Sequence, residues 1–480
     1  MQMKSNTFSL STVAAISTPF GKGGVAMLRV SGSDAVEIAS RVFYPASGLS
    51  LETVGGRRAV YGKIYDPDAK LNRASAADAA VEIDDGIAVV YHAPASFTGE
   101  DVVEICCHGG VLVTSRVLEA LLSAGAAQAG AGEFTRRAFI NGKMSLTEAE
   151  ALGNLLDAGN EEQLKLSRSG YSGALCRSID GIYDALCEVL SNMEAGMDFP
   201  EEDLTDMPTW EIRERLVDAS EKLEKLADTY RTGHAIAEGI PTVICGKPNV
   251  GKSALYNRLV GADAAIVTEV AGTTRDVLSR TVSLGRVTVK LSDTAGIHDT
   301  SDIVENIGIG RARDALNEAE LIIALFDGSR SPDGEDLELV KYLSELSAEV
   351  IWVISKADVA GADTVAKVKN IIPEGGEAVL VSSLSGAGCD VLASAVEKLY
   401  IDGNIRTEEE AVVFNARQSV AIRGALSSIT ETLEMLDMGV PSDVCAESIM
   451  EAMSSLAEIG GREVREDVIS EIFSRFCVGK

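Results

Sequence analysis

Eight consecutive residues carry the strongest chemical signal, Gly246-Lys247-Pro248-Asn249-Val250-Gly251-Lys252-Ser253. They fit the spacing G-x-x-x-x-G-K-[ST] between a strand-like run and a helical stretch, the context in which such a loop wraps phosphates. Its glycines let backbone N–H groups turn inward. The amides from Asn249 through Ala254 are the expected phosphate contacts. Lys252 places a compact charge on the β and γ oxygens and is expected to act in catalysis, and Ser253 offers a hydroxyl to Mg²⁺. Three further elements follow in order, which a chance glycine-rich turn would not show. Gly272-Thr273-Thr274-Arg275-Asp276 lies where a switch loop belongs, with Thr274 as the candidate Mg²⁺ ligand and an expected catalytic residue. Asp293-Thr294-Ala295-Gly296 ends the next strand; Asp293 can hold Mg²⁺ through water, and the Gly296 amide can sense the γ-phosphate. Ser355-Lys356-Ala357-Asp358 matches N-K-x-D except at its first position. Asp358 can accept from the ring N–H and the exocyclic amine of guanine, a donor pair that adenine lacks, so it selects GTP over ATP. Ser355 is shorter than Asn, which weakens one contact. Ser382-Ser383-Leu384 is the expected last base-contacting loop. Together these read as a G domain.

Two features refine that chemistry. Ras-like proteins place a water-orienting Gln after Asp-Thr-Ala-Gly, whereas Ile297 stands here. An apolar side chain cannot orient a nucleophile, so another group must. Nor is there an obvious arginine finger, which elsewhere supplies much of the rate. Asn249 could hold a K⁺ beside the phosphates and so replace that charge. Simple loop geometry explains Asn249 equally well.

These residues need a scaffold, and its periodicities are visible. Thr242 to Cys245, Val287 to Leu291, Leu321 to Phe326, Val350 to Ile354 and Ala378 to Val381 are short apolar runs separated by helix-length segments, an α/β pattern with a mostly parallel sheet. Before it, Ile212, Leu216, Ala219, Leu223, Leu226 and Tyr230 recur at spacings of four and three, one apolar stripe on a helix. The same rhythm returns at Ile422, Leu426, Ile429, Leu433 and Leu436. Each stripe needs a partner to cover it, so the simplest architecture inserts the α/β module into a helical domain whose halves meet. Earlier still, strand-like runs Gly24 to Val30, Ile87 to Tyr91 and Val102 to Cys107 alternate with helical Ala35 to Val42 and Val111 to Ala124, an α+β pattern. Ala124 to Gly132 reads as a loop, and Asp327 to Glu338 as an acidic surface loop. The expected divisions are 1–142, an α+β domain; 143–236, the first helical part; 237–403, an inserted α/β Ras-like P-loop G domain; and 404–480, the second helical part. This makes the chain multidomain, with a discontinuous all-α domain.

Composition bounds the rest. The 480 residues suggest about three domains. With 43 Lys+Arg against 73 Asp+Glu the formal charge is -30, which argues against broad nucleic-acid coating by a basic face. No apolar run approaches the ~20 residues that span a bilayer, and residues 1–11 lack a signal-type core, so a cytoplasmic location with no membrane partner is expected. Eight cysteines are too dilute for a disulfide scaffold. In Cys106-Cys107-His108, neighbours on a strand face opposite sides, which favours a structural role over a metal site.

End to end, the chain resembles the MnmE (TrmE) family of tRNA-uridine modification GTPases. The matching stretches are Gly23 to Gly32, Ser96 to Glu104, His108-Gly109-Gly110, Gly132-Glu133-Phe134-Thr135, Ala138 to Lys143, Asp198-Phe199-Pro200, Ile266-Val267-Thr268 leading to Gly272 to Asp276, and the terminal Cys477-Val478-Gly479-Lys480. The G motifs alone fit many translational GTPases; the N-terminal set and the terminal Cys-x-Gly-Lys are more specific. The resemblance implies G domains that dimerise face to face with K⁺ and GTP. Asn249, Thr268, Val270 and Thr273 would cradle K⁺, and Glu305 would orient the attacking water through a second water. It also implies a homodimer whose N-terminal folate-binding-like domain takes 5-formyltetrahydrofolate or a related one-carbon folate at Arg29, Glu104 and Lys143, with Lys480. Arg and Lys suit the glutamyl carboxylates, and Glu suits the pterin donors; ordinary surface ion pairs are the bland alternative. With an MnmG (GidA)-type flavoprotein, the family adds an aminomethyl-type group to the fifth ring carbon of the tRNA wobble uridine. The chain departs from the family at Ser355, at Ala131 and Ala127 before Gly-Glu-Phe, and at His298. Cys477 either does chemistry or lines the folate-facing cavity. Two competing readings are a ribosome-assembly GTPase, which the acidic composition and the terminal motif oppose, and a non-catalytic GTP-dependent dimerisation scaffold, which Lys252, Asp293 and Glu305 oppose.

Overall fold

The computed structural model describes residues 11–67, 81–198, 207–262, 279–292, 310–403, 405, 407, 410–462 and 464–480. The chain divides into two compact units, residues 1–153 with 461–480, and residues 154–460.

The first unit is built on a seven-stranded sheet. Its strands are β1 (Val13–Ile16), β2 (Val25–Ser31), β3 (Phe43–Pro45), β4 (Ala59–Tyr65), β5 (Glu82–Tyr91), β6 (Val102–His108) and β7 (Ala127–Gln128), in the order β3-β4-β5-β6-β2-β1-β7. Neighbours are antiparallel except β1 and β7. Side chains alternate between faces along each strand. Leu28, Val30, Ala88, Val90, Val103 and Ile105 take one face and form a core with Ile38 and Val42 of helix Ala35–Val42 and with Val117 and Leu121 of helix Val111–Ser123. The opposite parity carries Arg29 beside Glu104 and Met27 beside Cys106. The segment read as a loop, Ala124 to Gly132, contains β7, which pairs with β1. Sequence periodicity is blind to a two-residue strand. The C-terminal segment returns to this unit: Val478 bridges Ala131, and helix Glu466–Ser474 precedes it.

In the second unit one apolar core is shared by residues from 175 to 226 and from 413 to 459. Ile212, Leu216, Ala219, Leu223 and Leu226 of helix Thr209–Asp228 are buried there with Ile422 and Ile429 of helix Ala416–Asp437. The two stripes cover each other across an intervening module. That module is a six-stranded sheet: β8 (Ile240–Gly246), β9 (Ser279–Leu284), β10 (Val287–Ser292), β11 (Leu321–Asp327), β12 (Glu349–Ser355) and β13 (Ala378–Leu380), in the order β13-β12-β11-β8-β10-β9. All described pairs are parallel except the β9–β10 hairpin. Strands β8 and β11 are buried almost throughout, as expected of a sheet covered on both faces. The presumed loop Asp327 to Glu338 is shorter than its composition suggests. Helix Gly334–Ser344 begins inside it, with Asp333 and Asp336 forming a reciprocal capping box.

Candidate functional site

The phosphate loop joins β8 to helix Lys252–Ala262. Gly246 has φ 146°, and a Cβ there would lie 2.5 Å from the Leu325 carbonyl oxygen, so only glycine fits. Asn249, exposed on the loop, adopts a left-handed φ of 63°. Lys252 Nζ donates to the carbonyls of Gly246 at 2.8 Å and Lys247 at 2.9 Å. Burial pushes its pKa down. An ammonium has three donors, so a phosphate oxygen can be added while both loop bonds are kept. Val250 is buried beneath the loop; Gly251 has φ 105°; Ser253 and Ala254 open the helix.

Lys247, an unspecified position of the motif, proves structurally engaged. It is buried, and its Nζ lies 2.5 Å and 2.6 Å from the two carboxylate oxygens of Asp333 and 2.7 Å from Glu335. Burial opposes its charge, but these carboxylates hold its pKa above the ordinary lysine value. The loop is thereby pinned to the capped end of helix Gly334–Ser344. No spacing in the sequence announces this contact.

The residues expected from the sequence to meet the base lie at the ends of two strands, β12 and β13. Ser355 closes β12; its hydroxyl is buried against the carbonyls of Val250 at 2.5 Å and Phe326 at 3.0 Å. Through the shorter of these contacts it ties the phosphate loop to the end of β12. Lys356 has φ 54°, and its Nζ meets Asp327 at 2.7 Å. Although burial of Asp327 acts the other way, this cation and Ser329 lower its pKa. Asp358 accepts a 2.6 Å hydrogen bond from Ser382 Oγ, which lowers its pKa and fixes one carboxylate oxygen. Ser383 and Leu384 follow in the same loop, their carbonyls turned toward Arg258. Thr268, Val270, Thr273, Thr274, Asp293, Thr294, Ala295, Gly296 and Glu305 lie outside the described residues. β10 ends at Ser292, immediately before Asp293.

In the first unit, Arg29 and Glu104 face each other across β2 and β6. The Arg29 guanidinium reaches Glu104 Oε1 at 3.0 Å and 2.8 Å and lies 5.3 Å and 5.4 Å from the ring centres of Phe97 and Phe134. Tyr91 donates to the other Glu104 oxygen at 3.3 Å. Lys143 Nζ donates to the Pro94 carbonyl, in the loop that supplies Phe97. The terminal tail reaches the same region: the Phe134 amide donates to Lys480 O, and the Gly132 amide to Cys477 O. Cys477 is exposed. Cys107, by contrast, is buried, and burial pushes its thiol up to about 11. His108 pairs with Asp84 at 2.8 Å instead. Cys106 and Cys107 fall at opposite parity on β6, so the two thiols and His108 do not converge on one point.

A glycine-rich loop between a parallel strand and a helix, a lysine over its carbonyls and a fixed aspartate at the base-side strand ends define a P-loop protein that reads guanine nucleotides. Comparison with known proteins narrows the class. Residues 12–143 match the family described as GTP-binding protein TrmE N-terminus, and residues 146–477 match the MnmE helical domain. The chain is 37% identical over 469 residues to the tRNA modification GTPase MnmE of Lactobacillus acidophilus, covering 98% of both chains. It is also 37% identical over 469 residues to the protein of that name from Acetivibrio thermocellus, covering 98% of this chain and 99% of the relative. A crystal structure of Aquifex aeolicus Era bound to GDP.AlF4- is 28% identical over 39% of this chain and 65% of that one, with a TM-score of 0.27, too low to carry the fold. The chain belongs to the MnmE family.

Proposed function

We propose that this GTPase works in tRNA modification as a K⁺-activated hydrolase and that, with an MnmG (GidA)-type flavoprotein, it modifies the fifth ring carbon of the wobble uridine. The observation that carries the GTPase reading is the single module that holds Lys252 over the phosphate loop and Asp358 at the base end. Family membership supports tRNA as the substrate. For K⁺, the supporting feature is Asn249, an amide side chain exposed on the loop in a left-handed conformation. A cation held there, with Thr268, Val270 and Thr273 completing the cradle, supplies positive charge beside the phosphates. Ser253, Thr274 and water-linked Asp293 would hold Mg²⁺, and Glu305 would orient water.

The one-carbon reading is supported by the first unit. Glu104 offers carboxylate oxygens to ring N–H donors, Lys143 brings a cation to the loop that supplies Phe97, and the main chain of the tail ending at Lys480 lies against Phe134. These suit 5-formyltetrahydrofolate or a related folate. Support for a homodimer comes from the open face of the same sheet, where Val25, Tyr61 and Ile87 stand exposed. No described helix is long and apolar enough to cross a membrane.

The test has two readouts. GTP turnover is expected to be about a hundredfold faster in K⁺ than in Na⁺, and Glu305→Ala to lower turnover in K⁺ while nucleotide affinity holds. Equal rates in the two salts would remove the cation from the mechanism. Mass spectrometry of wobble uridines in cells lacking the protein tests the tRNA role; an unchanged nucleoside profile would refute it.

A further inference from the structure

The loop after β13 is held from two directions. Within itself, the Ser382 amide donates to the Ala387 carbonyl at 2.9 Å, and the Gly386 amide to the Ser382 carbonyl at 2.8 Å. From outside comes Arg258, on the helix that begins at Lys252. Its Nε donates to the Ser383 carbonyl at 2.9 Å, and its Nη2 donates to the Leu384 carbonyl. A planar guanidinium gripping two successive carbonyls fixes both distance and orientation. Six positions separate Arg258 from Lys252, about 9 Å along one helix. The lysine of the phosphate loop and the anchor of the base loop are therefore mounted on the same rod.

The departure at Ser355 makes this anchor matter more. Its hydroxyl is engaged between the Val250 and Phe326 carbonyls. Guanine reading then falls to Asp358, whose carboxylate is oriented by Ser382. Arg258 grips the two residues directly after Ser382.

We infer that Arg258 is a positioning residue for guanine selectivity: it locks the base-reading loop to the phosphate helix so that Ser382 holds Asp358 at the geometry needed for both base donors. The inference rests on Asp358 being the guanine reader.

The experiment measures GDP and IDP affinity by calorimetry for the wild type, Arg258→Ala and Arg258→Lys. Hypoxanthine lacks the exocyclic amine, so the affinity ratio reports one of the two Asp358 bonds. The wild type should prefer GDP. Arg258→Ala should weaken GDP about tenfold but IDP only about twofold, collapsing the ratio. Arg258→Lys, whose ammonium can still donate to a carbonyl, should restore part of it and guards against a misfolded alanine variant. Equal losses for both nucleotides, or no loss, would overturn the positioning role. A wild type indifferent to the amine would instead overturn the Asp358 assignment, and the role of Arg258 with it.

Discussion

His234 lies in the last turn of helix Tyr230–Ala237, just before β8, and its side chain is only 14% exposed. Nδ1 lies 3.3 Å from Glu238 and Nε2 3.4 Å from Glu320, while the ring packs 5.3 Å from that of Tyr230. Both contacts are longer than an ordinary charge-assisted hydrogen bond. Glu238 first and Glu320 second raise the imidazole pKa from 6.5 to about 9, against the desolvation that would lower it. At ~1.4 kcal/mol per unit the full shift is worth about 3 kcal/mol. Both carboxylates are more than a third exposed, so screening reduces this to about 2 kcal/mol. Because the folded pKa is raised, the stabilisation is complete below pH 6.5 and fades as pH climbs through 9. Urea unfolding of the wild type and His234→Gln should therefore differ by about 2 kcal/mol at pH 6 and converge near pH 10. Subtracting the variant removes the lysine and tyrosine titrations common to both proteins. The chain has four histidines, so the His234 ring proton can be assigned by its loss in the variant and titrated by NMR. A stability gap that does not change with pH, or a ring proton titrating near 6.5, would refute this reasoning.

Lys247→Met should lower stability at neutral pH by about 1–2 kcal/mol, because it strands carboxylates that are themselves half exposed. Lys247 holds the Asp333 carboxyl far below the usual range, so the pair stabilises above about pH 4 and weakens as pH falls further; the difference in melting temperature from wild type should shrink at pH 3. Gly233→Ala puts a Cβ 2.1 Å from the Val413 carbonyl oxygen and 2.8 Å from Val412 Cγ1. It should cost about 1–3 kcal/mol by thermal melting and speed hydrogen exchange at the Val413 amide, which donates to Thr229 Oγ1 at 3.0 Å. Gly181, exposed in helix Ala174–Asp198 with open space around it, is the control: Gly181→Ala should stabilise by about 0.5–1 kcal/mol.

What the sequence discloses is what depends on neighbours in the chain. The phosphate loop is eight contiguous residues, and the helical stripes repeat over four turns, so both are legible before any fold is known. The stripes are buried in one core that also takes in Ile182 and Val189 from helix Ala174–Asp198 and Ile449 and Leu456 from helix Ser442–Gly460. Strand ends are less legible. β5 begins at Glu82 and runs through Asp84 and Asp85, polar residues that the alternation rule discards. Asp84 is held there because its carboxylate accepts from the His108 amide and ring, a contact with the neighbouring strand β6, 24 positions along the chain. The start of helix Gly334–Ser344 was encoded in Asp333 and Asp336 three residues apart, but an aspartate pair is a weaker signature than Ser with Glu, and the flanking Pro332 and Gly334 read as a turn. Arg258, Lys247 and His234 are outside the reach of spacing altogether: their charged or carbonyl partners stand 86 to 126 positions away along the chain, apart from Glu238.

The base-side motif shows why its altered first position need not disable the module. A serine hydroxyl has one proton, and here two carbonyls compete for it, Val250 at 2.5 Å and Phe326 at 3.0 Å. The shorter contact takes the donor, so the bond from β12 to the phosphate loop survives the loss of an amide. What is given up is the second donor, and with it any reach beyond the loop toward a base. Lys356 is likewise committed to Asp327. Two of the three defining side chains thus work inside the protein as fasteners, and on the reading proposed above discrimination falls to the Asp358 carboxylate, which accepts from Ser382. Selectivity in such a module becomes a property of how firmly one loop is seated, so substitutions that loosen the seat should erode base discrimination before they erode phosphate binding.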